Sequence, residues 1–168
     1  MEQAQRHLDS WPKLFLSAIV LAEATTAAAN PMGIRDPSDY IWSTYISGHQ
    51  VQFGIPETDE RWLWLICDDH GNLTLGGPAG QLENDIRIAV SFSFGATHES
   101  EEDAGQTEER GDGTNFSVAV TPDSPVLKAL LKDDAVTVSI GGRRWMVPGK
   151  GAGAEIRPLV SACTSGRK

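Results

Sequence analysis

Residues 86–94 read IRIAVSFSF, and no other stretch of the chain restricts the fold as tightly. Ile86, Ile88, Val90, Phe92 and Phe94 share one parity, while Arg87, Ala89, Ser91 and Ser93 take the other. Successive side chains of a strand point to opposite faces, so this spacing sets an apolar face on a core and a polar face toward water. A helix would scatter the same apolar residues around its circumference.

The alternation recurs in Tyr40, Trp42 and Ile46, in Val51, Phe53 and Ile55, in Phe116, Val118 and Val120, and in Val136, Val138 and Ile140. Residues 61–67, RWLWLIC, are apolar on both parities, which predicts a strand covered on both faces. Short turn sequences separate these runs. Ser47-Gly48-His49 links the first two, and Asp68 to Asn72 reads as a hairpin tip, with Gly71 and Asn72 suited to left-handed backbone. Leu73 and Leu75 begin a return strand that ends at Gly76-Gly77-Pro78, and Gly141-Gly142 turns the chain into RRWMV.

Two helices are expected. Ser124 as N-cap and Pro125 in the first turn open PVLKALLKDD, where Val126, Leu127, Leu130 and Leu131 line one face. Near the end, Ile156, Leu159, Val160 and Cys163 have helical spacing. Pro158 belongs in a first turn, so this helix is expected to begin near Glu155. The sum is a mainly β protein of seven to nine strands. We expect an antiparallel β-sandwich or a partly open barrel with one or two short helices, one before the last hairpin and one at the C-terminus.

One segment breaks the pattern. Residues 98–114, HESEEDAGQTEERGDGT, hold seven acidic residues, one arginine and no large apolar side chain. Such a stretch buries too little apolar surface to offset the entropy of ordering, so a mobile acidic loop is expected over about residues 97–114. A calcium site is the alternative, but the ordered oxygen ligands of an EF-hand are missing.

The start of the chain suggests export. Residues 14–22 form an uncharged run of nine, apolar but for Ser17, after Lys13, and Ala27-Ala28-Ala29 supplies small residues for cleavage. Nine helical residues span roughly 14 Å, against about 30 Å of bilayer hydrocarbon. Residues 1–29 are therefore expected to be a cleaved signal peptide, leaving residues 30–168 as a single β-rich domain with no membrane span. An amphipathic N-terminal helix packed on the domain is the other reading. Glu2, Asp9 and Glu23 favour it.

Export gives Cys67 and Cys163 a meaning. They are the two cysteines of the chain, and in an oxidising compartment an even count favours a disulfide with one possible pairing. Inert buried thiols, or a reactive or metal-bound Cys67, are the alternatives. Asp68 and Asp69 would raise a Cys67 thiol, although His70 could compensate.

The net charge of −9 argues against nucleic acid as a partner. No nucleophile elbow, zinc-protease motif or complete phosphate loop is present, and PGKGAGAE lacks the full glycine and hydroxyl pattern. His49 and His70, with Asp68 or Asp69, form a candidate polar cluster for a metal or for acid–base work if their turns meet at one end. Trp42, Trp62, Trp64 and Trp145 are either a ligand-binding aromatic face or core. Asn72 and Asn115 head glycosylation-type triplets. No cofactor is implied. The leading expectation is a small exported, non-enzymatic binding or accessory module, bacterial and periplasmic, for an unknown protein or small ligand. A hydrolase or metal-dependent enzyme using His49, His70, Asp68 and Asp69 is the alternative, and recruitment of a basic partner by the acidic segment is a third.

Overall fold

The computed structural model describes residues 39–45, 48–95, 99–110 and 113–166. All of them belong to one unit, Met32–Lys168. The expected signal peptide lies outside the described residues.

Nine strands form one antiparallel sheet: β1 Ile41–Tyr45, β2 Gln50–Gly54, β3 Arg61–Cys67, β4 Leu73–Gly80, β5 Arg87–Phe94, β6 Glu99–Arg110, β7 Gly113–Val120, β8 Val136–Ile140 and β9 Arg143–Val147. Their order is β1-β2-β3-β4-β7-β6-β5-β8-β9. The sheet curls into a half-barrel, so the partly open barrel is the form adopted. Helix α1, Pro125–Leu131, precedes the last hairpin, and α2, Ala152–Ser165, follows it.

The apolar parities set the concave core. Val51, Phe53, Leu63, Leu65, Leu75, Val90, Phe92, Phe116, Val118, Val136 and Val138 are all buried there. Aromatic rings meet within the molecule, with Trp145 6.4 Å from Trp62 and 6.3 Å from Phe116, ring centre to ring centre. The Trp42 indole N–H donates to the Pro148 carbonyl at 2.7 Å, tying β1 to the end of β9. Trp64 points the other way, over Gly76, with the Arg61 guanidinium 4.5 Å from its ring. The tryptophans are thus chiefly core and sheet cover, not an open aromatic face.

The acidic segment is the main correction. Residues 99–110 are a strand, β6, paired to β5 from Arg87↔Gln106 to Phe94↔Glu99 and to β7 from Gln106↔Ser117 to Arg110↔Gly113. The expectation of a loop assumed that a strand must contribute apolar side chains of its own. Here the core-facing positions are Glu101, Asp103, Gly105 and Thr107, and the neighbours close over them. A Cβ on Gly105 would lie 3.0 Å from Val90 Cγ2 and 3.1 Å from Val118 Cγ2. Thr107 Oγ1 donates to the Glu83 carbonyl at 2.6 Å and accepts the Ile86 amide at 3.1 Å, strapping the β4–β5 crossover to the sheet. The backbone ladder and these bonds supply what apolar content does not.

The helices also differ from expectation at their starts. Ser124 makes no side-chain cap; its hydroxyl accepts the Thr121 amide at 2.9 Å instead. Glu101 Oε2, from β6, accepts the Val126 amide of α1 at 3.0 Å. Helix α2 begins at Ala152 rather than near Glu155, so Pro158 lies inside it. Pro158 is on the exposed face, where the Ala154 carbonyl it leaves without a helical donor can be hydrated. Asp133 Oδ1 caps the earlier start by accepting the Gly153 amide at 2.7 Å. Ile156, Leu159 and Cys163 face inward as the spacing predicts, with Val160 half-buried beside them.

Candidate functional site

Helix α2 lies across one end of β1–β3. Cys163, on its inner face, forms a disulfide with Cys67 at the end of β3, over a sequence separation of 96 residues and with Cα atoms 5.8 Å apart. The inward spacing of α2, and the parity that Cys67 shares with the buried Leu63 and Leu65 on β3, bring these positions together. No reactive Cys67 thiol exists in this state.

Beside the disulfide is a cleft of about 540 Å³. Its lining combines Thr44, His49, Asp68, Asp69 and Glu155 with the apolar surfaces of Val51, Pro158, Leu159 and Ala162. Thr44 Oγ1 donates to Glu155 Oε2 at 2.8 Å, joining β1 to the first turn of α2. The His49 carbonyl accepts the Cys67 amide at 3.0 Å, which anchors the β1–β2 turn to the end of β3.

The predicted polar cluster is brought together in part. His49, Asp68 and Asp69 line the cleft, whereas His70 is not among its lining residues. Asp68 is committed to the turn. One carboxylate oxygen accepts the His70 amide at 2.9 Å and the Asn72 amide at 2.7 Å, and the other accepts the Asn72 side-chain amide at 2.8 Å. The Asn72 side-chain and backbone donors, with the His70 amide and charge, hold the Asp68 carboxyl below its usual value. It is a fixed anion and a poor general acid. Among the described residues, no group of three His, Cys, Asp or Glu side chains could hold a metal ion.

Thr44 and Glu155 were not anticipated. They reach the cleft only because α2 docks on the strand ends, and the one sequence signal for that docking is the cysteine pair. Of the glycosylation-type triplets, Asn72 is exposed at the turn with its amide bonded to Asp68, and Asn115 is half-buried within β7.

A second acidic group is set apart from the cleft. Asp103 on β6 has one carboxylate oxygen buried without a hydrogen-bond partner among the described residues, and burial pushes its carboxyl above the usual value. Among the described residues, no helix is long and apolar enough to cross a membrane. Together with the disulfide, this is compatible with an exported chain. Comparison with protein-family models, curated proteins and solved structures finds no match to this chain.

Proposed function

We propose that this chain is an exported, non-enzymatic binding module, periplasmic in a bacterial host, that takes a small cationic ligand in the cleft beside Cys67–Cys163. The cleft carries the reading. Its volume of about 540 Å³ falls in the range of roughly 300–1,000 Å³ typical of small-molecule sites. Carboxylates of Asp68, Asp69 and Glu155 stand around apolar walls from α2, an arrangement suited to an amine or guanidinium with an aliphatic body. A disulfide in the wall fixes α2 against the strand ends, so little ordering cost falls on binding. The largely apolar run of residues 14–22 with its small-residue end, and the disulfide chemistry itself, support export.

The test is an amide-shift NMR titration with spermidine, argininamide and, as an anionic control, glutarate. The reading expects cation-dependent shifts at Thr44, His49, Asp69 and Glu155, reduced in Asp69→Asn and Glu155→Gln. Shifts that are absent, or equal for glutarate, would contradict it. Acid–base chemistry is the second reading, because His49 and Asp69 share the cleft. Turnover of ester, phosphoester or amide probes that His49→Ala abolishes would favour it over binding alone.

A further inference from the structure

The two ends of the sheet are strands β1 and β9, and each displays an exposed large apolar side chain, Ile41 at 49% and Met146 at 66%. Among the described residues β9 pairs with β8 alone, so the N–H and C=O groups of Arg144 and Met146 face away from the sheet, while the Pro148 carbonyl just beyond them accepts the Trp42 indole N–H. Next to Met146 on the outer face is Arg144, exposed and without an ion pair among the described residues. Its cross-strand neighbour is Ser139, and that of Met146 is Thr137. Beyond these, on β5, stand Ser91 and Ser93. The inner side of β9 therefore offers Arg144 no anion.

We infer that the free edge of β9 is a docking site for an extended acidic–apolar segment of another protein, added as a further antiparallel strand. Backbone hydrogen bonds to the edge hold the segment, an acidic side chain meets Arg144, and an apolar one covers Met146. A thioether adapts its shape to varied apolar neighbours, as an edge that accepts a segment requires. A second copy of this chain fits less well. Antiparallel self-pairing about Trp145 sets Met146 opposite Arg144 and leaves both guanidiniums without an anion. The inference is independent of the cleft, which lies at the α2 end of β1–β3 and takes a small cation.

The experiment uses the full oxidised protein and a short end-blocked peptide alternating valine and glutamate. Binding is followed by calorimetry and site by hydrogen exchange. The peptide is expected to slow exchange in residues 143–147, and the same peptide N-methylated at alternate residues is expected not to bind. Arg144→Glu should weaken binding about tenfold and transfer the preference to a valine–lysine peptide, since reversal replaces an attraction by a repulsion across the pair. Unchanged exchange in β9, equal binding of the N-methylated peptide, or self-association that Arg144→Glu disrupts would each overturn the proposal.

Discussion

Strands β1–β4 and strands β5–β7 are parts of one sheet, yet they are held by different means. At the β1–β3 end, α2 is fixed by a covalent bond and the side chains of Val51, Leu63, Leu65 and Leu159 are buried. In the other region the middle strand, β6, sends no large apolar side chain into the core. It is kept by a ladder to β5 along residues 99–106, by a ladder to β7 along residues 106–110, and by the carboxylate and hydroxyl bonds of Glu101 and Thr107. A strand can thus owe its place to its neighbours' apolar content rather than its own. Two aspartates repeat the contrast: Asp68 is exposed and surrounded by donors, while Asp103 has an oxygen buried without one among the described residues.

Removing the disulfide should have the largest effect. Replacing Cys67 and Cys163 with alanine opens a loop of 96 residues, and the chain-entropy model puts the loss at about 4.7 kcal/mol. Denaturant unfolding would show it, with exchange accelerating first in α2 while β5–β7 stays protected. Gly105→Val attacks the other region. Its branched side chain must enter space already held by Val90 and Val118, and overpacking of this kind costs about 1–3 kcal/mol. The midpoint should fall without any change in the disulfide or in α2.

A smaller effect is expected from Glu101→Ala, which strips the acceptor from the Val126 amide; loss of a helix-start bond costs about 1 kcal/mol. Amide exchange at the start of α1 would report it.

The aspartates give the smallest effects, with opposite pH dependence. Asp103 has a raised carboxyl pKa, so its relative stabilisation is complete below the ordinary value of 3.8 and is lost as pH rises through the raised one. Asp103→Asn should therefore stabilise the protein at neutral pH, with the gain shrinking in acid. Asp68 is lowered, so its contribution is present above 3.8 and disappears as pH falls through the lower value. Asp68→Asn should destabilise at neutral pH and match the parent in strong acid. Thermal melts of both variants across pH check the crossing.

These differences also explain what was legible in the sequence. Strands β5, β7 and β8 carry Val90, Phe92, Phe116, Val118, Val136 and Val138 in alternation, and a period-two pattern reveals such strands directly. Strand β6 carries no such signal, because its inward positions are Glu101, Asp103, Gly105 and Thr107. Their compatibility with burial depends on Val90 and Val118 closing over Gly105, which no local window contains. The start of α2 was hidden for a similar reason. Asp133, twenty residues upstream of Gly153, supplies the cap that lets the helix begin a turn earlier than Pro158 suggests. For the cleft, His49, Asp68 and Asp69 were readable as turn residues, and the cysteine pair as a link between distant segments. Glu155 and Thr44 join them only through the docking of α2, a tertiary event.

Native-state hydrogen exchange on the oxidised protein, resolved over residues 99–110, separates a paired β6 from an acidic loop. If β6 is laddered between β5 and β7, its hydrogen-bonded amides exchange nearly as slowly as those of β5, and reduction of the disulfide leaves them protected. Exchange there at the rate of an unstructured acidic peptide would contradict the account.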